Sequence, residues 1–366
     1  AYIKDEIRRE AIEGIKLVKD AGIRTIMITG DNKDTAYAIG CELGLVEKGD
    51  IVLTSDELNK IEDEDIKRIL PNLRIVARSL PQDKSKLIKL SQDAGFIVGM
   101  TGDGVNDAPA LKKADVGFAM GSGTEISKEA SDIVILDDNF LSISKAILYG
   151  RTIFKSIRKF IILQLTANLC ALSLSIIGPF IGVNTPVTVI QMLWINMVMD
   201  TLSGLAFSFE PALLEYMKES PKPKNEPIIN KYMINEIMFT GLYSAILCIL
   251  FLKVPFFHNL YRHSDKYFMT AFFALLIFID VFNAFNARTH RLNIFSNLSK
   301  NKIFSVIIVF IVIIQIIMIY YGGSVFRTSG LTGKELFITI LLSATVIPVD
   351  GLRKLLLRSK GKKDGV

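Results

Sequence analysis

The sequence predicts two structural classes in one chain: an α/β, Rossmann-like region over residues 1–150, and an all-α bundle of six transmembrane spans within residues 151–366. Three observations carry this reading. Up to about Gly150 charged and apolar residues mix at the density of a soluble domain, whereas beyond Phe160 the chain becomes a series of long apolar blocks. In the first region short apolar runs alternate with segments of helical period, the pattern of a doubly wound parallel sheet. In the second, the blocks at 160–181, 187–209, 233–252, 268–285, 303–321 and 336–357 each approach the roughly 20 residues that cross a bilayer as a helix.

Residues 6–19 place Ile7, Ala11, Ile15 and Val18 between charges, a helical period that Gly22 closes. Residues 23–28 read as a buried strand running into Thr29-Gly30-Asp31-Asn32, and residues 35–43 return to helix with Gly44 at the end. A charged helix follows over 56–70, then a third strand over 73–77. Pro81 and the helix over 85–94 put Lys84 near a helix start at the same sheet edge. A point cation there can offset charge on a transferring phosphoryl group, although a solvated surface lysine has the same signature. The next strand, 96–99, leads into residues 100–111, M-T-G-D-G-V-N-D-A-P-A-L, with a helix able to begin at Pro109. Residues 116–119 and 133–136 supply further strands. Gly121-Ser122-Gly123-Thr124 between them reads as a plain turn before it reads as a phosphate cradle.

The chemistry concentrates at 100–111. Asp103 and Asp107 fall just past the carboxyl end of a strand, the edge where ligands bind in open α/β sheets. Gly102 and Gly104 let the backbone approach a ligand closely, and hard carboxylate oxygens at this spacing suit Mg²⁺. The same residue types also make a simple capped turn. The first T-G-D, at Thr29, repeats the arrangement of strand, turn and helix, so the two turns are expected to share one crevice. Together they point to phosphoryl chemistry with Mg²⁺, and no further carboxylate stands in a comparable turn to act as nucleophile.

The formal charge of +6 does not mark a nucleic-acid protein, because the basic residues gather beside the apolar blocks and form no stripe on the first region. Residues 1–20 are charged and amphipathic, without the apolar core of a signal peptide. Cys41, Cys170 and Cys248 are too scattered for a disulfide framework. If the head is cytoplasmic, the inner connections and tail carry fourteen Lys and Arg residues, including Lys360, Lys362 and Lys363, against five outside, among them Arg262. That asymmetry predicts the head and both ends inside. Residues 141–158 run almost without a breaker into the first span, so one long helix is expected to couple head and membrane.

Polar residues within the spans are costly and therefore informative. Asn196 and Asp200 lie four apart on one helical face of the second span. Asn168 lies mid-depth in the first, one turn after Gln164, and Asp280 and Asn283 fall in the fourth. Carboxylate and amide oxygens converging there suit a hard cation, while intramembrane Asn and Gln also serve as interhelical glue. Asp350, beside Arg353 and Lys354 near the inner boundary, reads as an interfacial pair.

M-I-T-G-D-N at 27–32, the dodecapeptide at 100–111 and the six following spans resemble the carboxyl-terminal part of a P-type ATPase, and W-I-N-M-V-M-D at 194–200 resembles the calcium-transporting pumps among them. The resemblance covers essentially the whole chain. It implies that residues 1–150 are part of a haloacid-dehalogenase-like phosphorylation domain and that ATP is a substrate. It further implies that Asp103 binds Mg²⁺, that Asn106 and Asp107 support phosphate and metal, that Thr29 holds the phosphoryl group with Gly30 and Asp31 completing its turn, and that Lys84 stabilises its charge. Arg78 resembles an arginine near the hinge to the nucleotide domain. Asn196, Asp200, Asn168 and Asp280 match positions of transported-cation ligands, with Ca²⁺ as the ion and the cell membrane as the location. Ala171 and Met199 stand where two-site reticulum pumps have glutamate and threonine, so plasma-membrane-type pumps are the closer pattern. The family's D-K-T-G nucleophile motif does not occur in this sequence. The expectation is a fragment, inactive alone, whose partner is the amino-terminal half of the same pump. A membrane-tethered phosphatase using Asp103 itself is the alternative, and it leaves Asp200 and Asp280 without a task. Manganese, which also accepts oxygen ligands, is the alternative ion.

Overall fold

The computed structural model describes residues 7–183, 186–261 and 264–359. Expectations that fall on Glu6, Arg262, Lys360, Lys362 and Lys363 lie outside these residues. The chain divides into two units, one of Ala1–Arg151 with Ala212–Glu226 and the other of Thr152–Pro211 with Pro227–Val366.

In the first unit α1 (Arg9–Asp20) buries Gly14, Ile15 and Val18 on one face, and the turn at Gly22 leads to β1 (Met27–Ile28), where only two of the six residues expected in a strand are paired. Asn32 caps α2 (Lys33–Glu42) by accepting from the Thr35 amide. A strand not expected from the sequence, β2 (Ile51–Thr54), comes next. Thr54 and Glu57 form a capping box that starts α3 (Ser55–Asn59), and α4 (Asp63–Ile69) follows as a separate helix with three acidic residues in its first turn. The single helix expected over 56–70 is therefore two, because a capped start at Thr54 and an acidic run favouring a second helix start at Asp63 compete for the same stretch. Then come β3 (Leu73–Ala77) and α5 (Pro81–Asp93), with proline in its first turn. The strand expected at 96–99 is instead β4 (Gly99–Gly102), since residues 96–98 are held by Asp115, whose carboxylate accepts from the Val98 amide at 2.9 Å. A one-turn 3-10 helix at Val105–Asp107 precedes α6 (Ala108–Lys113), β5 (Val116–Met120), α7 (Glu125–Glu129) and β6 (Ile133–Ile135).

Among the described residues all pairings are parallel, in two three-stranded sheets ordered β1-β3-β2 and β4-β5-β6. The doubly wound arrangement is thus split into two sheets. β1 and β4 are end strands, each joined to a neighbour on one side only. Their approaches lie close, with the Arg24 guanidinium 5.1 Å from the centre of the Phe96 ring. Leu58, Ile66, Leu73, Val76, Leu87 and Leu90 form the main apolar cluster of this unit. At about 1.5–3 kcal/mol for each fully buried large side chain, this cluster is what fixes α3, α4 and α5 on the first sheet.

Among the described residues six helices are long and apolar enough to cross a membrane, and the protein is a multi-pass membrane protein. The first, α8 (Phe140–Phe180), is one 41-residue helix, joining into a single element the residues expected as a lead-in helix and a span. The second is interrupted: α9 (Val189–Trp194), a π-helical turn over Ile195–Met199, and α10 (Asp200–Ser208). Next are α11 (Lys231–Lys253), the short α12 (Pro255–His258), α13 (Asp265–Arg288), α14 (Lys302–Tyr321) and the short α15 (Gly323–Phe326). The last span breaks at Thr345 into α16 (Gly333–Ala344) and α17 (Val346–Ser359), three residues before Pro348. Proline has no amide to give the Ala344 carbonyl, four residues back, so the ladder lapses there.

Buried ion clusters tie helices of the second unit together. Glu210 Oε2 meets Lys159 Nζ at 2.8 Å, and its Oε1 accepts from Asn301 Nδ2 at 2.9 Å. Asp350 pairs with Arg353 at 2.6 Å and Lys354 at 2.7 Å, the partners expected for it, in a fully buried cluster, and Arg353 reaches across to Glu236 at 3.0 Å.

Candidate functional site

In the first unit the polar constellation lies at the carboxyl ends of β1, β3 and β4. Thr29 follows β1. Its amide bonds the Val76 carbonyl at 3.0 Å, and its hydroxyl donates to Asp31 Oδ2 at 2.7 Å. Gly30 between them is exposed, with open space where a Cβ would stand. The loop after β3 is clipped onto this turn, with Arg78 N donating to Asp31 O at 2.9 Å and Ser79 N to Thr29 O at 3.0 Å. Arg78 takes φ 51°, the left-handed region, a strain of about 1–2 kcal/mol for a residue with a Cβ. Its side chain is exposed.

The second turn separates the two carboxylates that the sequence treats alike. Asp107 is buried and fully engaged: Oδ1 accepts from Lys84 Nζ at 2.6 Å, and Oδ2 from the amides of Asp103 and Gly104 at 3.3 and 3.4 Å. It shapes the turn and anchors Lys84. Asp103 is exposed, and its carboxylate engages no side chain or amide among the described residues. An acceptor-only, hard-oxygen group left free at a sheet edge fits Mg²⁺, so Asp103 is the residue able to hold that ion. Asn106 is exposed beside it. The structure thus gathers Asp103, Asn106, Asp107 and Lys84, and it clips the loop leading to Lys84 onto the Thr29–Asp31 turn.

The reading of Gly121-Ser122-Gly123-Thr124 as a turn holds, and the turn has a task. Thr124 N donates to Asp103 O at 2.8 Å, and the buried Ser127 hydroxyl donates to the same carbonyl at 3.2 Å. A Cβ on Gly123 would sit 3.0 Å from that oxygen, so this close approach needs glycine. The main chain of Asp103 is therefore held from two sides. The sequence carries a signal for this in T-x-x-S after the glycines, an ordinary cap pattern that says nothing of what lies opposite. A second group passed over is the buried Asp83, whose carboxylate accepts from Ser55 and Asn59.

In the second unit the π-helical turn coincides with the polar residues of the second span. The Asp200 amide donates to Ile195 O, five residues back, and so bypasses the Asn196 carbonyl that a regular α-helix would use. π-turns inside helices recur at functional positions. Asp200 Oδ2 accepts from Gln164 Nε2 at 2.6 Å, a partner that the sequence signals only as a polar residue one turn before Asn168. Gln164, Asn168, Asn196, Asp200 and Thr201 line one open cleft. Asn168 and Asn196 also line an adjoining cavity of about 170 Å³ whose wall includes Asp280 and Cys170. The four intramembrane residues picked from the sequence thus border two neighbouring cavities that share their amide pair. Asn283, by contrast, is buried and accepts from Asn286 of the same helix at 3.3 Å, and it is Asn286 that reaches another helix, donating to the Val346 carbonyl at 3.1 Å.

Residues 184–356 match the family model described as cation transporting ATPase, C-terminus, while residues 1–115 and 97–147 match models of haloacid dehalogenase-like hydrolases. Among similar proteins, the calcium-transporting ATPase PAT1 of Dictyostelium discoideum is 36% identical over 403 residues, covering 100% of this chain and 36% of the relative. Calcium-transporting ATPase 2 of Schizosaccharomyces pombe is 38% identical over 357 residues, 96% of this chain and 28% of the relative. The plasma membrane calcium-transporting ATPase 1 of Homo sapiens is 38% identical over 368 residues, 93% of this chain and 30% of the relative. The chain thus spans about a third of the length of these curated relatives. With a haloacid-dehalogenase-like region of parallel sheets leading into a membrane region of six candidate spans, the chain belongs to the cation-transporting P-type ATPases.

Proposed function

We propose that this chain is part of an ATP-driven pump that exports calcium from the cytoplasm through an aspartyl-phosphate intermediate. The observation that carries this reading is the presence, in one chain, of a sheet edge equipped for phosphoryl groups and an intramembrane cleft lined by a carboxylate and amides. The nucleophilic aspartate belongs to a segment outside this sequence. β1 and β4, end strands whose approaches meet at Arg24 and Phe96, offer that segment a place between them as a further parallel strand.

With the nucleophile in place, the Thr29 hydroxyl and the Gly30 amide meet the phosphoryl oxygens, and Lys84 offsets their charge. Asp103 holds the Mg²⁺, which when bound neutralises charge developing on the phosphoryl group. Asp107 keeps Lys84 and the Asp103 turn in register. Arg78, exposed at its strained position, is the residue assigned to the hinge with a nucleotide domain. In the membrane, Asp200 is the charged ligand for calcium, with Asn196 and Asn168 supplying neutral oxygens and Asp280 standing at the adjoining cavity. The head and both ends are cytoplasmic, and the pump resides in the cell membrane. Six relatives called plasma membrane calcium-transporting ATPases support the location, and the Lys and Arg asymmetry of the connections supports the orientation.

In the complete pump, Lys84→Gln is expected to slow phosphoenzyme formation from ATP by about 100-fold, the effect of losing one charge-stabilising group. Rapid-quench measurement of the acid-stable phosphoenzyme checks it; an unchanged rate would remove Lys84 from the phosphoryl site.

A further inference from the structure

The loop from β3 to α5 is braced more firmly than a surface connection needs. It begins clipped to the Thr29–Asp31 turn through the Arg78 and Ser79 amides. Five residues on stands Asp83, 1% exposed and carrying the only acidic side chain in the first turn of α5. Its Oδ2 accepts from the Ser55 hydroxyl at 2.6 Å and the Leu80 amide at 2.7 Å, and its Oδ1 from Asn59 Nδ2 at 3.1 Å. Ser55 and Asn59 belong to α3, so one carboxylate bolts the start of α5 onto a second helix. Burial alone pushes the Asp83 pKa up, but these donors and the nearby Lys86 charge bring it below the usual value. On the other side Lys113 of α6 donates to the Ser85 carbonyl at 2.9 Å. Lys84 lies between these braces. Its ammonium rides on a flexible four-carbon stem, so where its Cα is held decides what it can reach.

We propose that Asp83 is a positioning residue that fixes the first turn of α5 on α3, so that the Lys84 ammonium is held against Asp107. This rests on the reading of Lys84 as the group that meets phosphoryl charge. Burying a charge where a serine or asparagine would fill the space is costly. Three donors converging from two elements are what that cost secures, and a cap alone needs only the Leu80 bond.

The test is amine labelling of the intact chain with acetic anhydride, read residue by residue by mass spectrometry. In Asp83→Asn, Lys84 is expected to label about fivefold faster, equivalent to about 1 kcal/mol of lost contact. Lys89 on the same helix and Lys112 on α6 should keep their rates. An unchanged Lys84 overturns the proposal, and so does an equal rise at all three lysines, which would mean loss of the local fold. Ser55→Ala removes one donor and should give a smaller rise at Lys84 alone; it decides the matter if Asp83→Asn does not fold. The wider reading fails separately: if Lys84→Gln leaves phosphoenzyme formation intact in the complete pump, Lys84 loses its chemical role while the labelling result still stands.

Discussion

Gly102 has no room for a side chain. A Cβ there would lie 2.5 Å from Asp107 Cβ and 2.9 Å from Asp107 Oδ2, so this glycine is what lets Asp107 fold back under the turn and reach Lys84. Gly102→Ala should destabilise the head by about 1–3 kcal/mol, the usual cost of overpacking, and raise Lys84 reactivity; a urea midpoint equal to the parent's would contradict it. Asp83 makes a prediction about pH. Its folded pKa lies below the unfolded value of about 3.9, so its stabilisation is present above about pH 4 and is lost as pH falls through the folded pKa. The stability gap between the parent and Asp83→Asn should therefore be full at pH 7 and narrow below about pH 4, which urea titrations at both pH values would show. At this scale spacing in the sequence singled out Thr29, Lys84 and Asp103, which the structure places at the carboxyl ends of β1, β3 and β4. It was silent on Asp83 and Ser127, whose partners lie 28 and 24 residues away.

The π-helical turn over Ile195–Met199 is the element that sets Asn196 against Asp200 at the proposed cation site. Apolar periodicity cannot reveal it, because one residue more in a turn leaves the composition of a span unchanged. Deleting Met197, an exposed residue within the turn, would restore regular α-helical bonding and turn Asn196 by about 100° relative to Asp200. The variant should insert normally yet lose at least about tenfold in calcium affinity, as expected when one oxygen ligand of a hard cation is withdrawn; equilibrium ⁴⁵Ca²⁺ binding by the complete pump checks it. The long apolar spans were legible because a run of about 20 consecutive apolar residues is seldom anything but a transmembrane helix. The short strands were less so. Ile51-Val52-Leu53 between Gly49-Asp50 and the Thr54 cap is a strand signal that is easy to pass over at four residues. β4 moved because Asp115, distant in sequence, claims the Val98 amide.

At the scale of the whole molecule, the helix that begins in the first unit and continues into the second is α8, which runs without interruption from Phe140 to Phe180 and carries Gln164 and Asn168 in its second half. Under the proposed function, occupancy of the cleft and the state of the phosphoryl site are coupled, calcium in the cleft being expected to favour the conformation that accepts phosphate from ATP. The most direct measurement is phosphorylation of the complete pump from [γ-³²P]ATP, with and without calcium, in Asp200→Ala. The account predicts that calcium-dependent phosphoenzyme disappears, while labelling by inorganic phosphate without calcium persists and so shows the head intact. Calcium-dependent phosphoenzyme at parental level and parental calcium affinity would contradict it.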